Sequence, residues 1–585
     1  MEVSTKDNQP STSSNVGGGT DDDCFLVLEL SKDDPLYEKK IMNAELFKPV
    51  IWLFMYPSIQ VIMKLLTDKG FGPNDRVYFH NTLVSESANV VDALLQRARI
   101  INLNDIELYF GPMNVVSEEE LYSFRNELEA LNFTLSLVDL YSEKSNGNNA
   151  SLKVLRDAII RRLYGVGEID KFETRIVKKA CDSEKHLMEW AESCGLKSKL
   201  QIAYVEGAGR GALAAEGLGV GDIALEIPIS VIISEDLVYD SDMVDALEKI
   251  DGISAETMLL LWSMRERHTV DSKYKSYFDT LPEEFNTGLS FGLDAIVALD
   301  GSLALEELSQ AKEHLRSEYD ELFPALSISS PDIFAPEFYT WEQYRWACEL
   351  WYSNSMKIMF PDGKLRTCLI PVAGFLNHSI CPHILHYGRV DATTNTLKFP
   401  LSRPCKRGQQ CYLSYGNLSS SHLLTFYGFI PEQTNPFDVI PLDIEAAPDC
   451  SSEDVRFASD VTHMVRGAWL SPNQGIFYYG LPSPLLEHLR SARSPGLQTM
   501  TLLQENLENE MEVLKDLRAI FDNMMENLGD ADMDDRKNEK WDVQLAIKYK
   551  DLQRYIVSSV TTACVRGQDM VEHELSACMA ENAVG

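Results

Sequence analysis

The stretch Gly374–Ser379, "GFLNHS", ends an apolar run that begins at Leu369 as "LIPVA". It places an amide, an imidazole and a hydroxyl side by side, at Asn377, His378 and Ser379. Burying an unpaired amide or imidazole costs roughly 1–3 kcal/mol, so each group needs a partner in the protein or in a bound ligand. The stretch therefore indicates either a turn satisfied by neighbouring backbone or a binding site.

Two more glycine-rich or polar corners accompany this one, "GAGRGA" (207–212) and "LSYGNLSSSHLLTFYGF" (413–429). Glycines in the first corner permit close backbone approach. Short strands are predicted around the corners, at 223–227, near 369, and at 384–387, 397–399 and 410–414. A mostly helical, acidic insert at about 235–350 separates the first strands from the rest. The fold class is therefore predicted as α+β, with short strands and a helical insert.

The rest of the chain suggests further regions. Residues 1–23 read as a disordered tail, since they carry almost no apolar side chains. Residues 24–185 read as an α/β or α+β region, with "FLVLEL" and "FTLSLVDL" as strands and a Ser117–Glu120 capping box opening a helix. A turn-rich break at 143–151 divides it. Residues 186–444 carry the three corners, and 445–585 are predicted to be helical.

Composition limits the function classes. With 89 acidic and 53 basic residues the net charge is -36, which repels phosphate and argues against nucleic-acid binding. The longest apolar run, Val50–Tyr56, is far shorter than the roughly 20 residues of a membrane span. The 11 cysteines form no CxxC pair and indicate free thiols. A monomer in the cytoplasm or nucleus is expected. The chloroplast is left open, although no clear transit pattern is present.

The order of the three corners, with the last two starting about 40 residues apart, resembles the SET-domain protein methyltransferases. The resemblance is to the branch of the Rubisco large-subunit lysine methyltransferase and the actin histidine methyltransferase. "SKYKSYFDTLPEEF" (272–285) is similar to the W/Y-x-x-Y-x-x-x-L-P signature of that branch, and "YTWEQYRWA" precedes "LIPVAGFLNHS" as it does there. The resemblance covers about residues 186–580. It implies a SET-type β fold followed by a helical substrate-binding domain.

This resemblance implies a protein-lysine N-methyltransferase with S-adenosyl-L-methionine as cofactor and a lysine side chain of a protein as substrate. The matching catalytic residue is Tyr427, whose hydroxyl would meet the reacting centre. The residues that stand at the cofactor-binding positions of the branch are Gly209, Arg210, Gly211, Asn354, Asn377 and His378. The matching substrate-binding residues are Ser353, Met356, Gly374 and Tyr415.

Methyl transfer from a sulfonium needs an amine lone pair in line with the S–CH₃ bond, so orientation and desolvation should dominate the catalysis. Tyrosine rings in a narrow channel can attract a cationic lysine by cation–π interaction. An apolar channel also lowers the pKa of an ammonium group, which lets lysine lose its proton. The sequence names no general base.

Several positions depart from the pattern of the branch, namely Ala208, Arg210, Asn354, Gly374 and Ser420. Ala208, Asn354 and Ser420 keep open the alternative of a SET-fold binding or scaffold protein without turnover. A protein-histidine methyltransferase is the other alternative. Tyr427 favours lysine, because the histidine branch departs from tyrosine at that point.

A metal site would need a set of ligands around "NHSICPHILH". His378, Cys381, His383 and His386 have a spacing that occurs in zinc sites. A second ligand pair at a usual distance is missing from the sequence, as is the Cys-rich segment that follows many SET domains. No metal is therefore expected.

Overall fold

A computed structural model of the protein describes residues 25–27, 76–78, 87–111, 122–144, 150–168, 174–250, 252–444, 462–467, 474–494, 500–530 and 538–584. The predicted tail at 1–23 and the Ser117–Glu120 capping box lie outside these residues. The chain divides into two compact units, residues 1–171 and 172–585. Within the described ranges, no helix has the length and apolar character needed to cross a membrane.

In the first unit, two short strands pair antiparallel and are followed by helices. The strands are β1 (Phe25–Val27) and β2 (Arg76–Tyr78). The helices are α1 (Ser87–Ile101), α2 (Asp105–Phe110), α3 (Phe124–Lys144) and α4 (Ala150–Glu168). The predicted break at 143–151 falls between α3 and α4.

The stretch "FTLSLVDL" (133–140) is helical, so its prediction as a strand is wrong. Buried Leu128, Leu131, Leu135 and Val138 recur every three or four residues along α3. This face packs against α1 and α4, and such tertiary packing overrides the strand preference of a short apolar run.

The second unit begins before the predicted boundary at residues 185/186. That boundary falls inside helix α5 (Asp182–Ser193), and the preceding strand β3 (Ile176–Lys179) already pairs with β5 (Leu200–Val205). Backbone hydrogen bonding therefore ties residues 176–179 to the strand-rich region.

Short strands form the centre of this unit. They are β3, β4 (Lys197–Ser198), β5, β6 (Gly209–Ala214), β7 (Ile223–Pro228), β8 (Ser355–Met359), β9 (Leu365–Leu369), β10 (Asn377–His378), β11 (Val390–Asp391), β12 (Thr396–Pro400) and β13 (Tyr412–Leu413). They build the sheets β3-β5-β6 and β11-β12-β7-β4, the antiparallel pair β8-β9 and the parallel pair β10-β13. The strand predicted at 384–387 is wrong, since this stretch makes a single bridge, from Ile384 to Leu413.

The insert between β7 and β8 is helical, as predicted. Its helices are α6 (Asp236–Tyr239), α7 (Val244–Leu247), α8 (Ala255–Glu266), α9 (Lys275–Phe278), α10 (Leu293–Ala298), α11 (Leu303–Ser329) and α12 (Trp341–Asn354). Three short 3₁₀ helices accompany the described elements, η1 (Ile229–Val231), η2 (Gly288–Ser290) and η3 (Ala373–Phe375). Helix α13 (Ser420–Tyr427) follows the last central strand.

The C-terminal part consists of the antiparallel strands β14 (Ile440–Leu442) and β15 (His463–Val465) and of the helices α14 (Ser483–Arg493), α15 (Gln504–Leu528) and α16 (Trp541–Val584). One strand, β15, thus interrupts the region predicted to be all-helical. An apolar cluster joins α16 to the insert and to α13, through Leu299, Leu308, Leu424, Ala546 and Tyr549. These helices therefore share a core with the central region.

Candidate functional site

The hairpin of β5 and β6 turns at "EGAG", and its glycines shape one wall of the site. Gly207 and Gly209 have φ of +74° and +67°, a region that L side chains rarely adopt. Gly211 lies where a Cβ atom would come within 2.2 Å of Gln410 Oε1 and 3.2 Å of Asn377 Nδ2. The absence of a side chain at Gly211 lets "GFLNHS" approach the hairpin.

Asn377 connects this hairpin to the strand that carries "YLSYG". Its Nδ2 donates to the backbone oxygen of Arg210 at 2.9 Å and to Gln410 Oε1 at 2.8 Å. Both amide protons therefore have protein partners, whereas within the described ranges no hydrogen bond reaches Asn377 Oδ1. The side chain holds the corners together and leaves one acceptor for a ligand.

His378 links the same stretch to the third corner. Its Nδ1 accepts a hydrogen bond from the backbone N–H of Tyr415 at 3.1 Å, and the two rings are 5.2 Å apart. The parallel pairing of β10 with β13 sets this contact, because His378 lies opposite Leu413. Together, Asn377 and His378 bring all three sequence corners to one place.

Two tyrosines form the aromatic wall beside His378. The rings of Tyr415 and Tyr427 stack with centroids 5.1 Å apart, and Phe429 packs edge-on against Tyr427 at 6.5 Å. Tyr415 donates its hydroxyl to the backbone oxygen of Leu376 at 2.9 Å. The Tyr427 hydroxyl has no hydrogen-bond partner among the described residues. Burial raises the pKa of both phenols, so both stay neutral and can donate.

Asn354 and Gly374, two positions that depart from the branch pattern, are neighbours. Asn354 ends α12, and a Cβ atom on Gly374 would lie 3.3 Å from Asn354 Oδ1. Asn354 Nδ2 donates to Ser353 Oγ at 2.7 Å, and Ser353 donates to the backbone oxygen of Glu349. The two departures are physically linked, because the missing side chain at Gly374 makes room for the Asn354 amide. Met356 follows on β8, half-buried.

The Arg210 side chain serves the fold. Its guanidinium donates to the backbone oxygen of Thr280, lies 3.7 Å from the fully buried Glu184 carboxylate and covers the ring of Phe375. Thr280 belongs to the Y-x-x-x-L-P-like segment, so this motif anchors the first corner. Because these contacts occupy the side chain, Arg210 would contact a cofactor through its backbone.

Sequence reasoning missed two residues of the site. Gln410, 1% exposed, bridges Asn377 and the hydroxyl of Tyr412, to which it donates at 2.6 Å. A polar residue in "RGQQC" carries no signal of burial. Val372 has φ of +71°, an outlier for a β-branched residue, immediately before η3. Such backbone strain concentrates at functional sites, but it is invisible in the sequence.

Within the described ranges, three potential metal ligands lie together, in a different set from the one considered in the sequence. His383 lies with Cys405 and Cys411, and their ligand atoms are within 4.8 Å of one another, all buried. However, His383 Nδ1 accepts from the backbone N–H of Tyr412 at 3.1 Å, which places the proton of the neutral ring on Nε2. Burial lowers the pKa of this imidazole. A ring with one nitrogen engaged and the other protonated does not fit a zinc ligand.

No protein-family model matches the chain. Among curated proteins, it is 25% identical over 306 residues to the ribulose-1,5-bisphosphate carboxylase/oxygenase large subunit N-methyltransferase of Pisum sativum, covering 50% of this chain and 60% of that protein. It is 24% identical over 264 residues to the fructose-bisphosphate aldolase-lysine N-methyltransferase of Arabidopsis thaliana, covering 44% and 53%. It is 22% identical over 346 residues to the actin-histidine N-methyltransferase of Gallus gallus, covering 58% and 55%. The chain thus matches little more than half the length of these relatives.

Solved structures show the same resemblance in three dimensions. The SET domain of LSMT bound to methyl-lysine and AdoHcy matches with a TM-score of 0.51 at 19% identity, covering 68% of this chain and 94% of that chain. Rubisco LSMT bound to sinefungin and monomethyllysine matches with a TM-score of 0.51 at 18% identity, covering 67% and 94%. The chain has the SET-domain fold, and the predicted resemblance to this branch is confirmed.

Proposed function

We propose, from the SET-domain fold, that this protein is a protein-lysine N-methyltransferase that uses S-adenosyl-L-methionine and acts on a lysine side chain of a protein. One observation carries the proposal. In this fold, Asn377 and His378 join the glycine hairpin to a stacked pair of tyrosines, and the Tyr427 hydroxyl at that point has no hydrogen-bond partner in the described ranges. A hydroxyl that is available beside two stacked rings favours a catalytic role for Tyr427 over a purely structural one.

The residues present fit the cofactor. A Cβ atom built on Gly209 would meet nothing within 4 Å, so the hairpin turn leaves open space there. Asn377 Oδ1 can accept a hydrogen bond from an ammonium group, and Asn354 next to Gly374 offers an amide to a carboxylate. We assign cofactor binding to Gly209, Arg210 and Gly211 at the start of β6 and to Asn354, Asn377 and His378.

When bound, S-adenosyl-L-methionine supplies an electrophilic methyl group on a sulfonium. The chain itself positions the amine that receives it. Tyr415 and Tyr427 attract the cationic lysine through their ring faces, and their buried surroundings lower its pKa so that the proton leaves to solvent. The Tyr427 hydroxyl then orients the lone pair, while Ser353, Met356 and Gly374 line the substrate side.

Transfer of a labelled methyl group tests the proposal. The purified protein is incubated with a protein extract and labelled S-adenosyl-L-methionine, and the labelled residue is identified after digestion. Label on lysine, lost in Tyr427→Phe, supports the proposal. Label on histidine would replace it with the histidine activity, and cofactor binding without any transfer would replace it with a scaffold role.

The compartment and assembly state are part of the same proposal. All proposed site residues come from residues 207–427 of one chain, which supports a monomer. Within the described ranges, Cys348, Cys368, Cys405, Cys411 and Cys564 form no disulfide, which fits a reducing compartment such as the cytoplasm or nucleus. Two of the relatives named above are chloroplastic proteins. Sedimentation of the purified protein and imaging of a fluorescent fusion test these two points, and chloroplast fluorescence would reject the proposed compartment.

A further inference from the structure

Helix α13, which ends at Tyr427, is fixed at its first residue by a carboxylate from a later segment. Ser420 donates its backbone N–H to Asp438 Oδ1 at 2.6 Å and its hydroxyl to Asp438 Oδ2 at 2.7 Å. Ser420 is 1% exposed, so water does not compete for these bonds. Both oxygens of Asp438 thus accept from one residue of the helix, and Oδ1 also accepts from Asn435 Nδ2 at 3.4 Å.

Asp438 is itself held in a folded turn. Asn435, 4% exposed, accepts the backbone N–H of Phe437 at 3.1 Å and donates Nδ2 to the backbone oxygen of Leu418 at 2.9 Å. The backbone N–H of Asp438 in turn donates to the oxygen of Asn435. The carboxylate is therefore presented to α13 by a preorganised turn, not by a mobile side chain.

The opposite end of α13 is clamped by the insert. Gly428 caps the helix with φ of +76°, and a Cβ atom there would come within 1.7 Å of the Asn286 backbone oxygen. Gly288 approaches so closely that its Cβ would lie 2.8 Å from Thr425 Cα. The helix is therefore held at two points, and loss of the Asp438 contact at its first turn would let it pivot about the insert and shift Tyr427.

The charge on Asp438 is costly. Burial raises its pKa from 3.8 to about 6, although the Ser420 bonds act in the opposite direction. Because the folded pKa lies above the unfolded one, ionisation above this range costs folding stability instead of adding to it. Tyr549 of α16 faces the carboxylate, and the His422–Glu307 pair of α13 and α11 lies beside Tyr549. A side chain that only had to pack here could be a neutral amide.

We infer that Asp438 is a positioning residue for Tyr427, and that its ionised carboxylate sets the first turn of α13 and through it the place of the Tyr427 hydroxyl. The inference rests on the proposed function, because it assigns Asp438 to the reaction that Tyr427 serves. It predicts that Asp438 affects turnover and leaves cofactor affinity unchanged.

The test compares single-turnover methyl transfer of wild type with Asp438→Asn and Asp438→Ala between about pH 5 and 8. Asparagine mimics the protonated acid, so the single-turnover rate of Asp438→Asn should be roughly 3- to 10-fold below that of wild type at high pH. Asp438→Ala removes both acceptors, and its single-turnover rate should fall on the order of 10²-fold. The ratio of wild type to Asp438→Asn cancels the titration of the substrate lysine. This ratio should fall towards one as the pH drops through about 6.

Two controls separate positioning from stability. Asp443→Asn changes an exposed carboxylate of the same segment and should leave the rate as in wild type. Asp542→Asn weakens a bond to the backbone N–H of Gly292 that includes no residue of α13, and should lower stability without a pH-dependent rate ratio. Ser420→Ala keeps the backbone N–H bond to Asp438 and loses the hydroxyl bond, so its methyl-transfer rate should lie between those of wild type and Asp438→Ala. This variant replaces the Asp438 variants in the test if they do not fold.

Amide hydrogen exchange supplies a readout that does not need activity. The first turn of α13 should exchange faster in Asp438→Ala than in Asp443→Asn. A wild-type to Asp438→Asn ratio that stays constant with pH would overturn the inference, as would equal exchange in both variants. If wild type transfers no methyl group at all, the proposed function fails, and the exchange result alone decides whether Asp438 fixes the helix.

Discussion

At Asn377 the amide donates to Arg210 and Gln410, so Asn377→Ala removes two internal hydrogen bonds together with the proposed ligand contact. We expect S-adenosyl-L-methionine to bind about 5- to 150-fold more weakly, which corresponds to roughly 1–3 kcal/mol of binding free energy. The rate of methyl transfer at saturating cofactor should fall by a smaller factor. Calorimetry measures the affinity. Gln410→Ala is the matched control, because it removes one of the same bonds away from the ligand. Equal losses in both variants would mean that Asn377 acts only by holding the corners.

Tyr427→Phe should fail differently. Phenylalanine keeps the ring that stacks on Tyr415, so the protein should fold and bind cofactor like wild type. Turnover should fall on the order of 10²- to 10³-fold, since a preorganised hydroxyl is lost. Tyr415→Phe is the comparison, because its hydroxyl bonds to Leu376 and should affect stability first. Rapid single turnover by Tyr427→Phe would show that the unpartnered hydroxyl has no catalytic part.

At the scale of single residues, the sequence motifs predicted which side chains form the site, but not which other residues they bond to. Asn377, His378, Tyr415 and Tyr427 lie together, while their roles toward cofactor and substrate stay a prediction. The bridging role of Gln410 was not predictable, because it depends on the register of β10 on β13, which brings residues far apart in sequence into contact. The Arg210 side chain also found its partners in the insert, outside the local motif.

At the level of elements, the junction of α13 with the insert depends on a glycine. Gly428→Ala combines a left-handed φ with a contact of 1.7 Å to the Asn286 backbone, which cannot move aside as a side chain can. We expect a loss of more than about 3 kcal/mol in the free energy of unfolding. Gly408→Ala is the matched control, with φ of +78° and no atom within 4 Å, and should cost about 1 kcal/mol. Similar denaturation midpoints for the two variants would contradict the clamp.

Most element types could be predicted where periodicity was long, as in the helical insert and α15. The errors fell on short apolar runs. "FTLSLVDL" became part of α3 because α1 and α4 bury its apolar face, and 384–387 made one bridge instead of a strand. A run of eight residues fits both periods, and only the neighbours in space decide between them.

For the whole molecule, the shared core predicts the effect of removing the C-terminal part. A chain ending at Ile444 would expose Leu299, Leu308 and Leu424, which now pack against α16. We expect such a protein to aggregate or to unfold well below the full-length protein in thermal denaturation. If the shortened protein stayed folded and lost only its activity on the protein substrate, the C-terminal helices would serve only to dock that substrate. Full activity on the protein substrate would reject both roles.

The bonds between the insert and α16 also set an order of events during synthesis. Gly292 and Leu303 donate backbone N–H groups to Asp542 and Gln553, each pair 250 residues apart in sequence. While the ribosome is still translating the C-terminal third, these groups have only water as a partner. Contacts so distant in sequence close slowly, and the nascent chain meanwhile exposes apolar surface. The helix that positions Tyr427 can therefore mature only after nearly the whole chain has emerged, so a nascent or prematurely terminated product would depend on chaperones and lack a finished site.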